Sequence, residues 1–300
     1  MPPPLLLSFD FEDWHQLVHR TLGRDDWDRR GHALERQTQT VLDFLDELGV
    51  KATFFMLGIT VRRYPELAQE IARRGHEPAT HGFAHERVFR QTREEFVDDV
   101  RRSVELIAET CGRAPVAYRA PAFSINRQTP WAFEALADAG IRYDSSQYDS
   151  PRIPHRIGSI PRTPYRLERL FELPVAVAPI GKRTLPVGGG SYWRLLPERP
   201  LLALLHRAAA ENPYPVLYFH PYETDPQPLR ADLPPGASLR QRLTRASRSL
   251  WRNTRRTAVV PRLRAVAREF RLVSYEQVYA DIDEHYGSCT RALSREGVLV

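Results

Sequence analysis

The sequence predicts an α/β fold with a mostly parallel sheet, and three observations carry that expectation. Apolar runs of strand length alternate with helix-periodic stretches from the first residues onward, which is the rhythm of right-handed βαβ units. The helical stretches carry their own start and stop residues. Polar residues of catalytic type follow several of the expected strands, at the edge where such sheets assemble their sites.

Taken in order, "PLLLSF" (4–9) reads as a buried strand. "ALERQTQTVLDFLDELG" (33–49) spaces Val41, Leu42, Leu45 and Leu48 as a helix face and stops at Gly49. "KATFFMLG" (51–58) is a strand, "YPELAQEIARRG" (64–75) a helix and "EPATH" a short strand. Residues 92–112 open with a capping box, Thr92 to Glu95, and end on Gly112. "VAYR", a helix over 130–140 and the strand "IRYDSS" follow.

From about residue 151 the pattern loosens into a Pro- and Arg-rich excursion. "LFELPVAVAPI" and "PVLYF" then read as strands and 199–212 as a helix. A second proline-rich loop spans 224–238, ahead of basic helices and a last strand–helix pair. Residues 1–150 are therefore expected to form the core, and 151–300 the remainder of the sheet, including the His220 strand, with a C-terminal helical extension.

Composition narrows the class. At 300 residues and 42% hydrophobic the chain can bury a substantial core. No apolar run of about 18 residues is present, so no transmembrane segment is expected. "MPPPLLLSFDFEDW" lacks a basic leader region, and Cys111 and Cys289 have no metal spacing; a cytoplasmic location is the expectation. The net charge of +6 comes almost wholly from arginine, concentrated in residues 239–271. Those arginines alternate with Leu239, Leu243, Leu250, Trp251, Val259, Leu263 and Val266. The alternation reads as packed amphipathic helices with solvated arginines, so no nucleic-acid partner is expected.

The candidate chemistry starts from "GHEPATHGFAH", where His81 and His85 stand four apart and His76 lies just upstream. Two imidazoles with one carboxylate are a frequent catalytic zinc set. "SFDFEDW" supplies acids, Asp10, Glu12 and Asp13, interleaved with Phe9, Phe11 and Trp14. Three carboxylates so placed repel one another unless a cation binds, and one left free can act as a base. Arg119 in "YRAPAFS" can fork onto such a carboxylate. His220 in "YFHPYETD" can act as a general acid if a carboxylate adjoins it, and Asp144 of "IRYDSS" is the expected neighbour.

Five motifs in order, "SFDFED", "HGFAH", "RAPAFS", "DAGIRYDSS" and "LYFHP", resemble the polysaccharide deacetylases, the NodB-homology carbohydrate esterases. The remainder resembles the C-terminal extension of the subgroup found with exosortase-linked exopolysaccharide loci. The resemblance implies a distorted (β/α) barrel of about seven parallel strands. It also implies metal-dependent hydrolysis of N-acetyl groups on an amino-sugar polymer, oligomer or precursor. Carried onto this sequence, His81 and His85 hold the metal with Glu12 or Asp13, and alternation along the strand favours Glu12. Asp10 is the base, Arg119 orients it and His220 is the acid. Pro121 and Phe123 belong to the substrate-binding turn, where Ala122 stands in a position that the family often fills with an aromatic residue. Zinc is the expected divalent ion, with cobalt or manganese as alternatives. The rival readings are a non-sugar amide as substrate, and an inactive barrel that binds anionic polymers.

Overall fold

In the computed structural model, residues 2–292 are described apart from 25, 27, 28, 152, 154, 155, 159, 168 and 182. The first half runs β1 (Pro4–Phe11), α1 (Trp14–Thr21), α2 (Leu34–Leu48), β2 (Thr53–Met56), α3 (Gly58–Arg63), α4 (Pro65–Arg73), β3 (Glu77–Thr80), α5 (Arg93–Cys111), β4 (Ala117–Tyr118), α6 (Trp131–Asp138) and β5 (Tyr143–Asp144). The second half continues with β6 (Tyr165–Leu167), β7 (Leu170–Glu172), β8 (Val177–Ile180), β9 (Arg183–Pro186), α7 (Gly190–Leu195), α8 (Glu198–Glu211) and β10 (Val216–Phe219). It ends with α9 (Leu239–Asn253), α10 (Val259–Glu269), β11 (Arg271–Val273), α11 (Tyr279–Tyr286) and β12 (Thr290–Arg291).

Side-chain alternation along β1 explains the layering. Leu5, Leu7, Phe9 and Phe11 join an outer core with Val41, Leu45 and Leu205 of the surrounding helices. Leu6 instead joins an inner cluster with Phe55, Ala79, Ala117, Tyr143, Phe171 and Val216, which come from neighbouring strands. The parallel path is β10-β1-β2-β3-β4-β5-β7. Just past β7, Val175 bridges to Val216 of β10 and closes the path into a barrel. The seven parallel strands match the expected architecture, and three of the sheet's further strands elaborate it: β6 pairs antiparallel with β7, β12 follows β6, and β11 pairs with the start of β1.

Two expectations are corrected. "LFELPVAVAPI" is not one strand: Pro174 lacks a backbone donor, and the stretch divides around it into β7 and β8, the latter paired with β9 in a separate hairpin. The basic segment is only partly packed. Val259, Leu263 and Val266 of α10 are buried, but α9 has no buried residue, and its leucines face outward. The helix Trp14–Thr21 and the β8–β9 hairpin had no counterpart in the sequence reading.

Candidate active site and metal centre

Register brings the scattered motifs together. Phe11, Met56, Thr80 and Tyr118 lie level across β1 to β4, so Glu12, His81 and Arg119 each stand one residue beyond that line. Phe9 pairs with Phe219, which sets Asp10 level with His220. All project from the carboxyl ends of the strands, and Asp10, Glu12, His81, His85 and His220 line one cleft of about 280 Å³.

Arg119 is fully buried and serves Asp10. Its Nη1 donates to Asp10 Oδ1 at 2.7 Å, its Nη2 donates to Tyr275 Oη at 2.7 Å, and further bonds reach Ser145. The guanidinium lies 4.0 Å from the Phe55 ring centroid, so aromatic contact and hydrogen bonds fix its plane.

Glu12 faces the imidazoles instead. Its Oε2 is 3.0 Å from His85 Nε2 and 3.8 Å from His81 Nε2, while Oε1 is 3.2 Å from His220 Nε2. Burial raises the Glu12 pKa, but His85 and His220 overcome that effect and hold the carboxyl well below its usual range. His81 uses Nδ1 on the Arg119 carbonyl at 2.8 Å, which leaves Nε2 for the cleft, and burial lowers its pKa. A neutral imidazole with its outer nitrogen tied to a carbonyl is the form that ligates metal. Potential ligand atoms of Glu12, His81 and His85 lie within 4.8 Å of one another, and Glu12 Oε2 is buried without a hydrogen-bond partner. A divalent cation fits this set.

The loop carrying His85 is shaped by Asp99, which accepts from the Phe83 and Ala84 amides at 2.7 and 3.2 Å. A Cβ on Gly82 would meet Asp99 Oδ2 at 2.7 Å, and Gly82 has φ of +74°, so the motif glycine is needed there.

His220 is held by Glu223, three residues on. Glu223 Oε2 accepts from the His220 backbone N–H at 3.1 Å and lies 3.2 Å from ring Nδ1. Burial lowers the imidazole pKa, yet Tyr222, Glu12 and Glu223 together raise it well above the usual value. Nε2, the other ring nitrogen, lies 3.2 Å from Glu12 Oε1 and 4.0 Å from Asp10 Oδ2. A Cβ on Gly190 would meet Glu223 Oε1 at 2.3 Å, so a bare backbone leaves room for this carboxylate.

Several expected residues sit elsewhere. Asp13 is not among the clustered ligands. It caps α1 by accepting from the His15 amide at 3.0 Å, and its Oδ2 faces Gly31, because it falls on the opposite side of the chain from Asp10 and Glu12. His76 is buried at the amino end of β3, where its Nδ1 accepts from the Ala52 amide. Asp144 does not adjoin His220; it accepts from Ser146 and pairs with Glu172, and burial raises its pKa to about 6. Ser146 in turn accepts from the Ala120 amide at 2.8 Å, so Asp144 supports the "RAPAF" turn. Phe123 lines the cleft beside Ala120 and Ala122, while Pro121 of the same turn is buried. Ala122 and Phe123 hold φ of 55° and 53°, a strained left-handed pair for residues with a Cβ.

Sequence reasoning missed Glu223, Tyr275, Ser145, Tyr218, Arg252 and the Gly188–Gly190 run. The His-x-x-Glu spacing and three successive glycines were visible signals. Tyr275 and Ser145 gave none, since their role depends on pairing across the barrel.

Residues 25–143 match the family described as Polysaccharide deacetylase, and residues 145–280 match Domain of unknown function (DUF3473). A peptidoglycan deacetylase of Helicobacter pylori is 31% identical over 147 residues, covering 48% of this chain and 49% of that protein. A peptidoglycan-N-acetylglucosamine deacetylase of Bacillus cereus is 32% identical over 98 residues, covering 32% of this chain and 36% of that one. The alignments thus span about half or less of these relatives. A crystal structure described as a putative polysaccharide deacetylase from Mycobacterium smegmatis superposes with a TM-score of 0.62 at 22% identity. It covers 94% of this chain and 90% of the other, so the two share a fold.

Proposed function

We infer the activity of a chain that belongs, through residues 25–143, to the polysaccharide deacetylase family: it is a metal-dependent hydrolase that removes N-acetyl groups from an amino-sugar polysaccharide or its precursor. The observation that carries this reading is the division of two neighbouring carboxylates within one cleft. Asp10 is paired with a buried guanidinium, and Glu12 faces the imidazoles of His81, His85 and His220.

A divalent ion at Glu12, His81 and His85, with zinc the expected metal for this donor set, would polarise the acetyl carbonyl and acidify water. Asp10, oriented by Arg119, accepts the proton of the attacking water. The water oxygen forms the new bond to the acetyl carbon, and a backbone N–H of the strained Ala122 turn is the proposed partner of the developing oxyanion. His220 gives its Nε2 proton to the departing nitrogen as the C–N bond breaks, yielding acetate and a free amine. Glu223 at Nδ1 keeps that imidazole protonated and aimed. Phe123 and Tyr218 form the apolar wall against which an acetyl methyl would rest.

Metal analysis combined with acetate release from N-acetylglucosamine oligomers tests the proposal. About one divalent ion per chain and measurable acetate are expected, with both lost in His81→Ala and His85→Ala. Full metal occupancy in the double histidine variant would overturn the site, and acetate release only from non-sugar amides would overturn the substrate class.

A further inference from the structure

Helix α9 is amphipathic in the inverse of the usual sense. At 3.6 residues per turn, Leu239, Leu243, Ala246 and Leu250 fall within an arc of about 60°, and the three leucines are 72, 62 and 72% exposed. Its polar side faces the protein. Gln241 Nε2 donates to the Leu22 carbonyl at 2.7 Å, and Asn253 bonds the Leu229 backbone in both directions. Arg194 donates to the Trp251 and Arg252 carbonyls at 2.8 and 2.9 Å. Surface helices ordinarily bury their apolar stripe; this one is held rigidly with its stripe outward.

The helix carries five arginines and no acidic residue. Arg240 and Arg242 flank the stripe on either side and are exposed, and Trp251, 42% exposed, sits at the helix's end. Leucines flanked by arginine, with a tryptophan at the border, match the interface of an anionic bilayer. Acyl chains cover the stripe there, headgroup phosphates meet the guanidinium groups, and the indole lies at the boundary. Other occupants fit worse. Nucleic acid would satisfy the arginines but leave three leucines wet. A second copy meeting α9 through its own two-fold would oppose Arg240 and Arg242 to their own counterparts, with no acid on either helix.

We propose that α9 docks this protein on an anionic lipid surface, its axis in the interface plane and its leucine stripe seated below the phosphates. Among the described residues no helix is long and apolar enough to span a membrane; the proposed contact is a helix lying in the interface plane. Arg252 on the inner side of the same helix lines the catalytic cleft, so docking brings the cleft wall to the lipid surface. The docking itself does not depend on the hydrolase reading.

Vesicle flotation of the full chain, at about 0.15 M salt, tests it with phosphatidylcholine vesicles with and without phosphatidylglycerol. Flotation is expected only with the anionic lipid. Changing Leu239, Leu243 and Leu250 together to serine should weaken partitioning by a factor on the order of 10² or more, and Arg240→Glu with Arg242→Glu should weaken it as well. Both variants alter exposed side chains, so thermal unfolding should be unchanged. The proposal is overturned if the chain does not float with anionic vesicles, or if the leucine variant floats as well as the parent. It is overturned equally if sedimentation shows a dimer that the leucine changes dissociate while vesicles go unbound, which would make a second copy the occupant.

Discussion

Replacing Arg119 by methionine removes a charge while keeping much of the side-chain volume. In the native protein the guanidinium is fully buried and bonds Asp10, Tyr275 and Ser145. Without it, Asp10, 4% exposed, becomes a buried carboxylate with no cation at 2.7 Å. Breaking one partner of a buried ion pair costs about 3–5 kcal/mol, a third or more of the stability of a typical domain. For a chain of this size that is a fall in Tm of roughly 10 °C. The cost should be largely that of the stranded charge, so Asp10→Asn in the Arg119→Met background should restore on the order of 2 kcal/mol. Urea unfolding of the four proteins of this cycle, in chelator so that no cation compensates Asp10, gives the coupling energy directly. If Arg119→Met costs less than about 1 kcal/mol, or if the second change restores nothing, Arg119 does not stabilise the Asp10 carboxylate and its proposed role fails.

Three further outcomes follow from the same geometry. His220→Ala should slow deacetylation by about 10²–10⁴-fold but slow hydrolysis of an activated aryl acetate far less, because a phenolate leaves without a proton; equal losses on both substrates would remove His220 as the acid. Gly190→Ala should lower kcat for the amide with little change in unfolding temperature, since its Cβ would displace the Glu223 carboxylate; unchanged kcat would show that Glu223 does not need its present seat. Burial pushes Glu77 up to about 7 despite bonds from Thr53 and Tyr279. The folded state therefore holds a proton that the unfolded state releases near its ordinary 4.5, and stability from this group is full below about 4.5 and declines as pH rises to 7. The difference in unfolding free energy between the parent and Glu77→Gln should accordingly move against the parent by about 3 kcal/mol between pH 4 and pH 8; a pH-independent difference would contradict it.

The parallel strands were legible because each is a short apolar run with a polar residue at its end, and the strand ends were sufficient to find Asp10, His81, Arg119 and His220. The choice between Glu12 and Asp13 was legible in direction, because side chains alternate about a strand and Glu12 shares the side of Asp10. The partner of His220 was misread. Asp144 is a strand-end acid like the others, but β5 lies on the far side of β4 from β1, and its carboxylate is spent on Ser146 and Glu172. Periodicity also established that α9 has an apolar face without telling which way that face points. The direction is set by Arg194, Leu22 and Leu229, distant in sequence, whose contacts hold the polar side inward.

The two carboxylates of "DFE" stand two positions apart and differ by one methylene, so the contrast in their surroundings comes from what the barrel places beside each. Glu12 stands level with His81, and the His85 loop folds back so that a second imidazole also faces its carboxylate. Both neighbours are ligands in their neutral form, so a carboxylate between them completes a cation site. Asp10 stands level with His220 on one side and is bonded to Arg119 on the other. An arginine cannot give up its proton at any working pH, so it pairs with the Asp10 carboxylate without competing for the proton that the proposed base would receive. Had Arg119 been placed on Glu12, the ligand set would have been filled by a fixed cation and Asp10 left without its orienting partner. The arginine's position, one residue beyond the Thr80–Tyr118 pair, is therefore what separates the proposed base from the proposed ligand.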